Sequence, residues 1–110
     1  MSQVGFAGQL HPEQMPQVVE KGFRSVINNR PDFEGGSDQP TSAAIEEAAR
    51  AAGLHYVFQP VVAGQVTQFD VESFARHYNE LPKPVLMFCR TGNRSSGLYQ
   101  MAKQMDLLDE

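Results

Sequence analysis

A single cysteine, two arginines and the start of a helix fall together in Val85-Leu86-Met87-Phe88-Cys89-Arg90-Thr91-Gly92-Asn93-Arg94-Ser95-Ser96. The pattern reads as a short apolar strand, a tight loop and a helix. A thiol at the loop's first position faces unpaired backbone N–H groups and the positive end of a helix dipole, with Arg90 and Arg94 alongside, and each favours thiolate over thiol. Gly92 permits a turn that aims N–H groups inward, Arg94 can reach back over the loop as a two-pronged donor, and Ser95 can donate to the sulfur. The chemistry on offer is nucleophilic attack by sulfur at the floor of an anion cradle. Cys89 and Arg94 are then the catalytic pair, and Arg90, Thr91, Gly92, Asn93 and Ser95 bind the anion, with Arg90 as an outer guide and Thr91, Gly92 and Asn93 contributing mainly N–H groups. The plainer alternative is a cysteine that only packs at a strand end.

The rest of the chain supplies elements that can hold such a loop. Val4 to Phe6 reads as a short edge strand. His11-Pro12-Glu13 opens a helix with proline in its first turn, Met15, Val18 and Val19 on one face and Gly22 as its stop. Phe23 to Asn28 reads as a strand and Asn29 to Pro40 as a Gly-, Pro- and Asp-rich loop. A second helix begins near Thr41 or Ser42, repeats Ile45, Ala48, Ala49 and Ala52 at helical spacing, and ends at Gly53. Leu54 to Gln59 is a further strand. Thr67-Gln68-Phe69-Asp70 has the form of a capping box, followed by Val71, Phe74, Ala75 and Tyr78 on one helical face, with Pro82 and Pro84 ending the helix. After the apolar strand Val85 to Phe88, Leu98, Met101, Ala102 and Met105 repeat the helical spacing. Strands alternating with helices predict an α/β fold, a mostly parallel sheet of four to five strands with helices on both faces, whose strand carboxyl ends bind ligands.

With 110 residues, 41% of them hydrophobic, the chain fits one domain spanning 1–110. A formal net charge of -4 and the absence of a basic run argue against nucleic acid as a partner. No apolar run approaches membrane-spanning length and the first residues lack a signal-peptide pattern, so no membrane partner and a cytoplasmic location are expected. His11, His55 and His77 have no companions at metal-ligand spacing, and neither a metal nor an organic cofactor is expected.

Cys89-Arg90-Thr91-Gly92-Asn93-Arg94 resembles the active-site loop of rhodanese-type sulfurtransferases, Cys-Arg-x-Gly-x-Arg or Thr. It is also similar to the loop of cysteine-based protein phosphatases, which place five residues between cysteine and arginine where this chain has four. In those families the shorter loop implies a smaller cradle, suited to a sulfur atom carried on cysteine. Beyond the loop, the Gly8-Gln9 pair, Val26-Ile27-Asn28-Asn29-Arg30-Pro31-Asp32, and Pro60-Val61-Val62 with Gly64-Gln65-Val66-Thr67 resemble the bacterial beta-lactamase hydrolase-like protein, phosphatase-like domain family. This resemblance implies a fold like that of the cysteine-based, dual-specificity protein phosphatases, with the cysteine strand central. Members occur alone or fused to metal-dependent persulfide dioxygenase-like domains, which implies work in sulfide or persulfide metabolism and such a metalloenzyme as a partner.

A phosphatase of this type also needs an acid for the leaving oxygen. Gln59 to Thr67, where those phosphatases carry it, contains neither Asp nor Glu, and Asp70 is more simply the capping partner of Thr67. Asp32 is the other candidate, against a plain role in the turn after Pro31. Sulfur transfer needs no such acid: thiosulfate or a small persulfide gives its outer sulfur to Cys89, and cyanide or a thiol takes it. The expected order is therefore sulfurtransferase first, cysteine-dependent phosphatase second, and a non-catalytic persulfide or redox sensor or anion-binding module third.

Overall fold

The structure, a computed structural model, describes residues 3–109. Four strands, β1 (Val4–Ala7), β2 (Ser25–Asn28), β3 (His55–Phe58) and β4 (Val85–Phe88), form one sheet in the order β1-β4-β2-β3, parallel throughout. The helices are α1 (Met15–Glu20), α2 (Ser42–Ala51), α3 (Gln68–Glu80) and α4 (Asn93–Gln104).

All four residues of β2 and of β4 are buried, as expected of strands covered on both faces. Their side chains alternate between two cores. Ile27, Val85 and Met87 join Phe74 and Tyr78 of α3 and Leu98, Tyr99 and Ala102 of α4. Val26, Leu86 and Phe88 join Met15 and Val18 of α1 and Ile45 and Ala49 of α2. Burying one such large apolar side chain contributes about 1.5–3 kcal/mol before chain entropy is set against it, so both faces are needed to hold the sheet. Tyr78 stands edge-on to Tyr99, with ring centroids 5.8 Å apart, joining α3 to α4.

Local signals in the sequence set the helix ends. The Thr67 hydroxyl accepts from Asp70 N–H at 3.1 Å while Asp70 Oδ2 accepts from Thr67 N–H at 3.0 Å, the reciprocal box that starts α3. Thr41 caps α2 through Ala44 N–H, and Gly53 lies just beyond α2 at φ +87°. Two expectations shift. The first helix begins as a 3-10 turn over Pro12–Gln14 before α1, because Pro16 lacks the N–H a continuous α-helix would use; Val19 is exposed while Met15 and Val18 are buried. The last helix ends at Gln104, which leaves Met105 outside it and exposed. Among the described residues no helix is long and apolar enough to cross a membrane.

Candidate active site

β4 lies between β1 and β2, so the loop that follows it, residues 89–92, is braced on both sides. On one side Gln9 N–H donates to Arg90 O at 3.2 Å, and a Cβ added at Gly8 would come within 3.1 Å of that carbonyl. A side chain there would push the two loops a few tenths of an ångström apart. Gly92 adopts φ +93° and lies against Ala7, where an added Cβ would be 3.3 Å from the carbonyl oxygen. On the other side Asn29 N–H donates to Phe88 O, the Asn29 amide donates to Gln59 O at 2.9 Å, and Asn29 Oδ1 accepts from the Ser95 hydroxyl at 2.8 Å. One buried residue, Asn29, thus joins the ends of β2, β3 and β4, its backbone N–H reaching β4 and its side-chain amide reaching β3 and α4.

The turn at Gly92 makes α4 begin without a side-chain cap. The N–H groups at this helix start are therefore free to meet other acceptors, and for Gly92 that acceptor is sulfur. Gly92 N–H lies 3.1 Å from Cys89 Sγ. Burial alone pushes the Cys89 thiol up, but the backbone N–H groups of Ser95, Thr91 and Gly92 and the Ser95 hydroxyl together bring it below its ordinary value. The hydroxyl's one proton rests on Asn29 Oδ1 here, and a full thiolate would compete for it. Because the acid form is disfavoured, the thiolate fraction climbs at lower pH than for a free thiol. The rate of Cys89 alkylation by iodoacetamide, followed by mass, is expected to reach half its plateau below the free-cysteine midpoint. Ser95→Ala should move that midpoint upward; an unmoved midpoint would remove the hydroxyl from the account.

Cys89 is 1% exposed and does not itself line the cleft of about 610 Å³ that is lined by Arg30, Glu34, Gly35, Val62, Ala63, Arg90 and Arg94; the loop reaches that cleft through Arg90, the residue after the cysteine, and α4 through Arg94. Arg94 sends both terminal nitrogens to Glu34, Nη1 to Oε2 at 3.1 Å and Nη2 to Oε1 at 3.0 Å, and Nη1 also donates to Val61 O at 2.9 Å. Its Nε is buried with no partner among the described residues. Arg30 Nε donates to the same Glu34 Oε1 at 3.0 Å, and Arg30 Nη1 donates to Gln9 Oε1 at 2.9 Å. Hydrogen bonding from Arg94, outweighing partial burial and helped by Arg30, holds the Glu34 carboxyl below the usual carboxylate range.

Residues 1–106 match the family described as beta-lactamase hydrolase-like protein, phosphatase-like domain. The chain belongs to that family. Beta-lactamase hydrolase-like proteins of Xylella fastidiosa (strain Temecula1) and Agrobacterium fabrum are 35% and 36% identical over 103 and 100 residues, 94% and 91% of this chain. The chain spans about a quarter of the length of these relatives, 24% and 23%. A candidate phosphatase from Neisseria meningitidis superposes with a TM-score of 0.87 at 32% identity, covering 96% of this chain and 75% of that one. The core catalytic domain of a PP-IP phosphatase from S. cerevisiae shares the fold, at TM-score 0.70 and 10% identity over 98% of this chain and 64% of that one. This is the cysteine-phosphatase fold.

Within this phosphatase-like domain the sequence-predicted residues divide. Cys89, Thr91, Gly92, Asn93, Arg94 and Ser95 share one loop and helix start, Asn93 N–H lying 3.4 Å from Thr91 Oγ1. Arg90 and Arg94 both line the cleft. Asp32 does not line it: its Oδ1 accepts from Ser42 N–H at 2.7 Å, supporting the start of α2. Asn29, Arg30 and Glu34 are the members the sequence reading did not name as site residues, although Asn29 and Arg30 fall in a stretch that carried the resemblance. The only signal for Glu34 was its place in the longest loop.

Proposed function

We propose that this phosphatase-like domain is a cysteine-dependent hydrolase of phosphate monoesters or anhydrides whose leaving group departs without an enzyme acid. The carrying observation is the pairing of a thiolate-favouring Cys89, under converging N–H groups, with an arginine fork that already holds two oxygens of one anion. The likeness to proteins described as phosphatases supports placing phosphoryl transfer first, the reverse of the order that loop length suggests.

In this reading the Cys89 thiolate attacks phosphorus, an S–P bond forms and the P–O bond to the leaving group breaks, its electron pair leaving with oxygen. Arg94 and the N–H groups of residues 91–95 hold the three remaining oxygens as charge builds on them. Water then attacks phosphorus, the S–P bond breaks, phosphate departs and the thiolate returns. Neither Glu34, the carboxylate that lines the cleft, nor Asp32, which does not line it, is set up to give a proton. Glu34 is held ionised by two arginines, and Asp32 is engaged at Ser42. Substrates with acidic leaving groups, such as aryl phosphates or anhydrides, are therefore favoured over alkyl phosphates.

Sulfur transfer is the second reading, favoured by the four-residue spacing between Cys89 and Arg94 and by the lack of a free acid. Here the thiolate attacks the outer sulfur of thiosulfate, an S–S bond forms and sulfite leaves as a stable anion; cyanide or a thiol then takes the sulfur and restores the thiolate. Assaying phosphate release from an aryl phosphate beside thiocyanate formation from thiosulfate and cyanide separates the two. Phosphate release dominating is the expected result. Thiocyanate alone would reverse the order, and one sulfur bound without turnover would leave the sensor.

A further inference from the structure

Two guanidinium groups, Arg30 and Arg94, converge on a single carboxylate, and their side chains are each only 11% exposed. Like charges brought together with so little water around them require an anion between them. In this structure that anion is Glu34, whose Oε1 is shared by both arginines and whose Oε2 completes the fork on Arg94. A phosphoryl or thiosulfate group presents the same pair of neighbouring acceptor oxygens that the carboxylate presents.

The loop that delivers Glu34 is shaped for it. Phe33 takes φ +65°, a conformation costly for a bulky side chain, and the residue is 69% exposed, so its own packing does not explain the turn. Gly35 lies so close to Arg30 that an added Cβ would sit 2.6 Å from Nη2, and Gly35 N–H is held by Gln39 Oε1 at 2.7 Å. The Glu34 side chain remains 25% exposed, open enough for solvent to receive it when it leaves.

We propose that Glu34 is a specificity-determining residue that occupies the substrate's place on Arg94 and Arg30 and is displaced when a dianionic oxyanion binds. Three arginines and one carboxylate line the cleft, so a dianion more than replaces the charge it expels, whereas a monoanion merely exchanges with it. The site is thereby tuned to phosphate monoesters and their sulfur analogues over phosphodiesters and carboxylates. The inference rests on the reading that an oxyanion binds at Arg94, whichever group is transferred.

Calorimetric titration of inorganic phosphate into the full chain, its Glu34→Gln variant and its Glu34→Ala variant tests this at one fixed pH, with thermal unfolding as a check on folding. Both variants are expected to bind phosphate about tenfold tighter, since the internal competitor is gone. A residue that merely positions Arg94 would have the opposite sign, because its loss would loosen the fork. Unchanged or weaker binding in the variants, or no phosphate bound by any of the three proteins, would overturn the proposal. Turnover by the unaltered chain with no tightening in the variants would sink this inference alone. Tightening without turnover would instead sink the hydrolase reading.

Discussion

Cys89→Ser is expected to lower kcat/KM for an aryl phosphate by about four powers of ten or more, and to abolish thiocyanate formation equally. The N–H groups around position 89 favour an anion, and they act on a thiol, a group far more acidic than a hydroxyl. A serine hydroxyl is far less acidic than a thiol and stays protonated in the same cradle. The substitution removes one buried sulfur and puts a small hydroxyl beside Gly92 N–H, so the unfolding temperature should move by only a few degrees. Activity and stability would thus separate. Retention of a tenth or more of the activity would mean that the cradle and arginines act on a water nucleophile, with Cys89 only packing beneath them.

Arg94 carries the second large effect. Arg94→Ala is expected to lower kcat/KM by about 10² to 10³, the range found when a single preorganised donor to a developing oxyanion is lost. Arg94→Lys should recover little of it. Lysine restores the charge but not the two coplanar N–H groups that now grip Glu34 Oε1 and Oε2. The competing view is that Arg94 is a strut tying α4 to the loops at Glu34 and Val61. A strut would show as a lower melting temperature in Arg94→Ala with unchanged kcat/KM in the folded fraction. Steady-state kinetics beside thermal unfolding of the same preparations distinguishes strut from clamp.

What could be read in the sequence was what depends on near neighbours. The capping box of Thr67 and Asp70, the close at Gly53, the turn at Gly92 and the loop from Cys89 to Arg94 are written within a few residues, and each appears where its spacing places it. The α/β class followed because hydrophobic period alternates between strand and helix along the chain. The edge position of β1 and, through the resemblance, the interior position of β4 were legible and hold; the full order β1-β4-β2-β3 was not, since β1 and β4 are joined by contacts that no local pattern specifies. The same holds for the site's outer members. Glu34 meets Arg94 and Asn29 meets Ser95 across 60 and 66 residues of chain. Nothing around Glu34 in sequence distinguishes it from a solvated loop acid, and Asp32, two residues earlier, looked the better candidate because only the folded chain shows it turned to the start of α2. Loop length was legible, but it argued for sulfur ahead of phosphorus, whereas the relatives of similar fold argue the other way.

The interior position of β4 separates what this scaffold can change from what it must keep. The floor of the site, from Phe88 to Ser95, is wedged between Gly8 on one flank and Asn29 on the other, so a change in its length would have to be absorbed by two neighbouring strands at once. The rim is built differently. Residues 30–40 and 59–66 run from the ends of β2 and β3 to α2 and α3, and these loops, not the sheet, supply Glu34 and Val61 O, the groups that engage Arg94. The groups that meet Arg94 are thus separable from the floor that holds Cys89: a change in the 30–40 loop alters what faces the arginine fork while the nucleophile stays where β1 and β2 hold it.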